Sequence, residues 1–184
     1  IVFLDASAGT GKTYVLNTYI AKYGIKKIIA ISYSGVASSL LYGGQTAHSL
    51  LKIPLLCYDY STTCAIKAND DAAKRIQQAD VILIDEISMF SDYIFDSIDR
   101  CMQRLMNNTT KFGGKRIVLA GDFGQVLHII QTFSTSQILN STILNSKYWH
   151  SIKKLHLHKN MRVLQNNTNA NVEWANWLLK VRDG

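Results

Sequence analysis

The sequence is poor in proline, in cysteine and in long apolar runs. One proline, Pro54, and three cysteines, Cys57, Cys64 and Cys101, occur in 184 residues. An odd number of cysteines without metal-ligand spacing argues against a disulfide framework or a zinc site. We therefore expect the reduced thiols of a cytosolic or nuclear protein. No apolar run approaches the roughly 20 residues that a membrane span needs, so we expect no membrane partner.

Acidic residues are scarce in the second half of the chain. Residues 1–100 hold 9 Lys/Arg against 10 Asp/Glu, whereas residues 101–184 hold 11 against 3, and the net charge is +7. A basic half suggests a polyanionic partner, most simply nucleic acid, although a solvated surface facing a lost domain explains the charge equally well. The chain starts inside an apolar run and stops just after a helical pattern, so we expect a piece of a longer protein.

The chain does contain a glycine-rich stretch, DASAGTGKT at residues 5–13, between an apolar run at 1–4 and a predicted helix at 14–23. This order is the context of a phosphate-binding loop. Glycines let the backbone approach phosphates, the lysine reaches the β- and γ-phosphates, and the threonine hydroxyl can bind Mg²⁺. The predicted nucleotide-binding residues are Ala8, Gly9, Thr10, Gly11, Lys12 and Thr13. Ala6 replaces the first glycine of the pattern, which is tolerable if its φ is negative.

A second apolar run, at residues 81–84, ends in Asp85 and Glu86. Four consecutive apolar residues suit a central parallel strand, and open α/β sheets bind ligands at the carboxyl ends of such strands. Together with the phosphate-binding loop, this predicts that Asp85 holds Mg²⁺ through water. Glu86 would orient and deprotonate the attacking water. The alternative is an ordinary turn with solvated acids.

The remaining patterns predict further strands at residues 27–31, 116–120 and 155–157, and helices at 35–42, 66–79 and 91–106. Ser91 is the expected N-cap of the last helix, whose buried face would carry Ile94, Ile98, Cys101 and Leu105. Gln125 follows the strand at 116–120, where a γ-phosphate sensor would stand, although a turn hydrogen bond also explains it.

The segment QTAHSLL at residues 45–51 combines hydroxyls and an imidazole after two glycines. Such side chains near the end of a parallel strand suit a nucleic-acid backbone. On local chemistry alone, an ordinary polar loop is the better explanation.

Four motifs, GTGKT, IDEISM, AGDFGQ and NMR, together resemble the petite-integration-frequency (Pif) type DNA helicases of superfamily one, above all the version carried by Helitron transposons. The resemblance covers nearly the whole chain and includes SGVAS…GGQTAHSLLKI, which is similar to that family's motifs Ia and Ib. It implies a RecA-like P-loop NTPase domain of the α/β class, with a mainly parallel sheet and helices on both faces. The strand before Gln125 would lie between the P-loop strand and the Asp85 strand.

The resemblance also implies the roles of residues. The implied catalytic residues are Lys12, Glu86, Gln125 and Arg162. Thr13 and Asp85 would bind the metal. The residues that would contact single-stranded DNA are Ser34, Gly35, Thr46 and His48. ATP and Mg²⁺ are the implied cofactors, and hydrolysis would drive 5′-to-3′ translocation and unwinding. Residues 1–162 would form a motor domain truncated at its N-terminus, and residues 163–184 a loop and helix leading toward a second RecA-like domain. The location would be nuclear, or else mitochondrial.

Three positions depart from the family pattern. Ala6 replaces a glycine, Gly124 stands where an arginine or bulky residue is common, and His128 stands where proline is usual. Ala6 and Gly124 keep open a decayed mobile-element remnant that binds nucleotide or DNA without hydrolysing ATP, although the intact Lys12, Thr13, Asp85 and Glu86 count against it. Another P-loop ATPase, such as a AAA-type machine, is the third alternative. The SGVAS…TAHS segment discriminates against it, because a AAA protein has no need of that segment.

Overall fold

The computed structural model describes residues 1–55, 59–124, 134–161 and 177. Within these residues the strands are β1 Val2–Ala6, β2 Ile28–Ser32, β3 Gln45–Thr46, β4 Val81–Asp85, β5 Arg116–Gly121 and β6 Lys153–Leu157. The α-helices are α1 Lys12–Tyr23, α2 Gly35–Ser39, α3 Ala47–Leu51, α4 Asp71–Gln78, α5 Asp92–Met106 and α6 Thr135–Asn140. Short 3-10 turns occupy Ile87–Met89, Lys111–Gly114, Ile143–Asn145 and Trp149–Ser151.

The six strands form one parallel sheet in the order β3-β2-β4-β5-β1-β6. β5 lies between β1 and β4, as the family resemblance implies. Because all strands run in the same direction, the segments that follow β1, β2, β4 and β5 leave from one edge of the sheet. The predicted RecA-like α/β fold is confirmed, and its carboxyl edge is where ligands are expected.

Side chains pack on both faces of the sheet. Neighbouring residues of β4 belong to different apolar clusters: Leu83 lies with Leu16 of α1, and Ile82 lies with Ile76 of α4 and Ile98 of α5. Full burial of such a side chain contributes about 1.5–3 kcal/mol to stability. The continuous apolar runs of the central strands therefore follow from a sheet that helices cover on both sides.

Helix α5 follows its sequence pattern closely. The hydroxyl of Ser91 accepts a hydrogen bond from the Ile94 N–H at 3.3 Å, which caps the first turn. Asn107 ends the helix in the left-handed conformation, with φ of 50°. All four residues of the predicted apolar face are buried. The prediction for this helix is confirmed because its cap and its apolar period are both local signals.

The predicted helix at 66–79 is wrong at its start, since α4 begins only at Asp71. The Arg104 guanidinium donates to the carbonyls of Cys64 and Ile66, both at 2.8 Å, and so holds this irregular segment against α5. The Asp70 carboxylate then accepts the Lys67 N–H at 3.0 Å, which closes a turn. These contacts occupy the backbone groups that an earlier helical turn would need.

Two further predictions need correction. Residues 45–51 are not an ordinary loop, because they form β3 and α3. Helix α2 ends at Ser39 rather than at residue 42. The Asn17 amide group donates to the Leu40 carbonyl at 2.8 Å and accepts the Tyr42 N–H at 2.9 Å, which turns the chain away from the helix.

Cys64 and Cys101 are buried free thiols, and Cys57 lies outside the described residues. A hydrogen bond with Cys101 and burial raise the pKa of the Cys64 thiol. Across the described part of the chain, no helix has the length and apolar character to cross a membrane.

Candidate functional site

The loop between β1 and α1 is a tight turn at the carboxyl edge of the sheet. The Thr10 N–H and hydroxyl both donate to the Ser7 carbonyl, at 3.2 and 2.7 Å. Gly9 and Gly11 have φ of +82° and +88°, which L-residues rarely adopt. Lys12 and Thr13 then open α1. The positive-φ glycines leave the loop backbone open to close approach by a ligand, and the binding of phosphate stays a prediction.

Ala6 does not disturb this loop. It ends β1 in extended conformation, is 1% exposed, and its methyl group packs in the apolar cluster beside α1. The condition set by the sequence, a negative φ at this position, is met. One of the two departures that supported a non-hydrolysing remnant thus has a plain packing role.

Lys12 and Asp85 form an ion pair, with Nζ and Oδ1 separated by 2.6 Å. The same carboxylate oxygen accepts the Glu86 N–H at 2.8 Å. Asp85 is only 3% exposed, so its charge is stabilised by these two donors rather than by water. The sheet thereby brings the P-loop lysine to the acid that the sequence predicts as a metal ligand.

Glu86 is held at both its backbone and its side chain. Its φ of 54° and ψ of 42° lie in the left-handed region, which is uncommon for a residue other than glycine. Its Oε2 accepts a hydrogen bond from the Ser34 hydroxyl at 2.9 Å. Strained backbone conformations concentrate at functional sites, where the surroundings enforce them.

The predicted DNA-track residues lie on the β2–β3 side of the same edge. Ser34 caps α2, Gly35 is its first residue, and Thr46 caps α3 by accepting the Ser49 N–H at 3.2 Å. Ser32 is the register partner of both Thr46 and Asp85, which places the track next to the acids.

His48, the fourth predicted track residue, is half-buried in α3. Its ring meets the Tyr33 ring edge-on at 5.5 Å. Burial lowers the pKa of His48.

Two contacts on the P-loop were missed from the sequence. The Met161 N–H donates to the Gly9 carbonyl at 2.8 Å, and the Asn160 side-chain amide lies against the loop, 3.4 Å from the Ala8 carbonyl. Both residues belong to the motif NMR, in which the family resemblance assigns a role to Arg162 only. The motif itself is the sequence signal that marks Asn160 and Met161 as neighbours of the loop. Arg162 itself lies outside the described residues, as do Gln125 and His128.

The side chains at this edge suit a magnesium–nucleotide. A carboxylate and a hydroxyl, from Asp85 and Thr13, are the hard oxygen donors that Mg²⁺ prefers, and Mg²⁺ is commonly held by few protein ligands together with substrate phosphates. Among the residues that the structure describes, no cluster of three His, Cys, Asp or Glu side chains forms an all-protein metal cage.

Several basic side chains of the second half serve the fold. Lys147 pairs with Asp96 at 2.8 Å, Lys115 donates to the Ala79 carbonyl at 2.6 Å, and Arg104 holds the segment before α4. The excess positive charge of this half is thus only partly available for a polyanion.

Comparison with known proteins gives a consistent result. The family model described as PIF1-like helicase matches residues 1–184. The ATP-dependent DNA helicase RRM3 of Saccharomyces cerevisiae is 35% identical over 139 residues, which cover 68% of this chain and 18% of the yeast protein. The chain spans less than half the length of the curated relatives it matches.

Two solved structures of Bacteroides Pif1 are similar in fold. Pif1 bound to single-stranded DNA matches with a TM-score of 0.81 and 27% identity, over 98% of this chain and 42% of that one. Pif1 in complex with ADP-AlF3 and single-stranded DNA matches with a TM-score of 0.75 and 26% identity, over 86% and 38%.

Proposed function

We propose that this chain, which belongs to the PIF1-like helicase family, is a motor domain of an ATP-dependent DNA helicase. It would couple ATP hydrolysis to movement along single-stranded DNA and to duplex unwinding. The observation that carries the proposal is the junction of Lys12, Asp85, Glu86 and Ser34 at one edge of the sheet. This junction joins the predicted nucleotide site to the predicted DNA track.

Residues Ala8 to Thr13 would bind the nucleotide. The positive-φ glycines let the loop backbone approach phosphate oxygens, and the start of α1 favours negative charge. Lys12 pairs with Asp85, and since its ammonium group has three protons to donate, it can also donate to phosphate oxygens when nucleotide binds. The solved complex of Bacteroides Pif1 with ADP-AlF3 supports nucleotide use by this family.

Thr13 and Asp85 would hold Mg²⁺, which when bound neutralises charge on the β- and γ-phosphates. Glu86 would orient the attacking water and accept its proton. Gln125 and Arg162 remain proposed catalytic residues. The support for Arg162 is that the two residues before it contact the P-loop.

Ser34, Gly35, Thr46 and His48 would contact single-stranded DNA. Their common position beside the acids supports this, together with the solved complex of Bacteroides Pif1 with single-stranded DNA. By the resemblance, movement is 5′-to-3′ and the protein is nuclear, with mitochondria as the alternative location. The likeness to the Helitron version stays a prediction.

A second RecA-like domain would complete the motor, with residues 1–162 as the first domain and residues 163–184 leading onward. Trp177 is the part of that last segment that the structure describes. By the resemblance, the second domain supplies a further arginine across the ATP cleft. An arginine finger in other P-loop enzymes contributes about 10³–10⁵ in rate, so the 184-residue chain alone should bind nucleotide but hydrolyse it slowly.

The test is phosphate release with and without single-stranded DNA, on the full-length protein and on the 184-residue chain. We expect DNA-stimulated turnover in the full-length protein only. Glu86→Gln should keep nucleotide binding and lose about 10²–10⁴ in turnover. Full activity of Glu86→Gln would refute the catalytic assignment, and equal turnover of the short and long proteins would refute the two-domain argument.

DNA binding is tested by fluorescence anisotropy with a labelled single strand at several salt concentrations. For single strands, the log–log slope should be about −0.7 for each phosphate that the protein neutralises. Binding that does not change with salt, or that is absent at the lowest salt, would contradict the proposal that basic residues of the second half help to hold single-stranded DNA.

A further inference from the structure

We propose that Ser34 is a positioning residue that couples single-stranded DNA binding to ATP hydrolysis. In DNA-free protein its hydroxyl proton restrains Glu86, and it releases Glu86 when that proton is donated to DNA. This proposal rests on the proposed function, because it takes Glu86 as the group that orients water and Ser34 as part of the DNA track.

The one hydroxyl proton of Ser34 is already engaged by another side chain of the same edge. The hydroxyl donates its one proton to Glu86 Oε2 at 2.9 Å and accepts the Ala37 N–H at 3.2 Å. A serine hydroxyl has a single proton to donate. Ser34 can therefore donate to the Glu86 carboxylate or to a DNA phosphate oxygen, but not fully to both.

The hydrogen bond holds the Glu86 carboxylate on the β2 side of β4. In the strand order β3-β2-β4-β5-β1-β6, β2 and β1 lie on opposite sides of β4. Ser34 follows β2, which is the direct neighbour of β4. The predicted phosphate-binding loop follows β1, which lies on the other side of β4, two strands or about 10 Å away. The Glu86 carboxylate is thus drawn away from the strand whose loop would hold the phosphates.

The backbone of Glu86 needs no change for release. Its N–H remains on Asp85 Oδ1 at 2.8 Å, and its left-handed conformation fixes where the side chain starts. Only the Glu86 side chain must rotate once its hydrogen bond with Ser34 is broken. A DNA phosphate near Ser34 would also repel the Glu86 carboxylate, so binding of DNA and restraint of Glu86 oppose each other for two reasons.

The test compares Ser34 variants of the full-length protein by phosphate release without DNA and with saturating single-stranded DNA. Ser34→Ala should raise the DNA-free rate about 10- to 150-fold, the range that a hydrogen bond to a charged group corresponds to. The ratio of DNA-stimulated to DNA-free rates should fall by the same factor. The DNA concentration for half-maximal stimulation should also rise, because a phosphate contact is lost.

Three further variants separate restraint from helix capping. Ser34→Gly also lacks the hydroxyl but keeps most of the cap, since glycine at an N-cap costs only a few tenths of a kcal/mol. It should behave like Ser34→Ala. Ser34→Thr keeps the hydroxyl and should behave like wild type. Ser38→Ala removes another hydroxyl of α2, which donates to the Gly35 carbonyl at 2.8 Å, and should leave both rates unchanged.

An unchanged or lower DNA-free rate in both Ser34→Ala and Ser34→Gly would overturn the coupling. If Glu86→Gln is inactive in the same series, that result leaves the helicase assignment intact. If Glu86→Gln is as active as wild type, or the full-length protein does not hydrolyse ATP, the proposed function fails and the coupling fails with it.

Discussion

Lys12→Ala should destabilise the protein even when no nucleotide is present. The substitution leaves Asp85 buried with the Glu86 N–H as its remaining partner in the contacts described above. A hydrogen bond to a charged group contributes about 1.5–3 kcal/mol. The Lys12 side chain is 21% exposed, so water partly screens the pair and the lower half of that range is expected. For a chain of this size, the full range corresponds to a fall in Tm of about 3–12 °C.

The assay is urea or thermal denaturation of wild type, Lys12→Ala, Asp85→Asn and the double variant. Asparagine can still accept the Glu86 N–H but carries no charge, so the double variant should be more stable than Lys12→Ala alone. The resulting coupling energy should exceed about 1 kcal/mol, as is usual for residues in direct contact. If Lys12→Ala is as stable as wild type and the coupling is zero, the ion pair contributes nothing in solution.

Repeating the measurement with Mg–ATP tests the second role of Lys12. A ligand at 100 times its Kd stabilises the folded state by about 2.7 kcal/mol. Wild type should show this increase, and Lys12→Ala should show none at the same nucleotide concentration. A fluorescent nucleotide, with circular dichroism as the folding control, checks the same point below the Tm of the variant. Equal nucleotide stabilisation in both proteins would refute the assignment of Lys12 to the phosphates.

Three further predictions concern local contacts. Gly113→Ala should lower the Tm more than Gly114→Ala: both have positive φ, but a Cβ at Gly113 would lie 2.6 Å from the Met102 carbonyl oxygen, whereas at Gly114 no such contact lies within 4 Å. Equal losses would mean that the backbone of α5 does not pack against Gly113. Burial lowers the pKa of His48 in the folded state below its value in the unfolded state, which is about 6.5. The folded protein therefore keeps the full stabilisation from neutral His48 above about pH 6.5, and loses it as the pH falls from there toward the pKa of the folded state. Wild type should therefore lose more stability than His48→Gln between about pH 7 and 5 in urea titrations, and parallel curves would contradict this. Ser91→Ala should lower the free energy of unfolding by about 0.5–2 kcal/mol through loss of the α5 cap, and no change would show that the cap is not formed.

Local patterns were sufficient for the parts of the fold that repeat a simple period. The apolar runs at β1, β2, β4 and β5 were predicted to within a residue or two, because buried parallel strands are apolar throughout. The short elements β3 and α3 were missed. Two and five residues are too few to show a period. β3 is held by pairing with β2, and α3 by the burial of Ala47, Leu50 and Leu51.

The sequence by itself determined the position of the glycine-rich turn after β1, the acidic pair at the end of β4 and the family, because these depend on residue type and spacing within short segments. Only the tertiary structure decided that Ser34 bonds Glu86, that Lys12 pairs with Asp85, and that Asn160 lies on the loop after β1. These contacts join residues far apart in the chain. They depend on the order of strands in the sheet, which hydrophobic period and helix caps do not encode, since the same local elements could be arranged in another order.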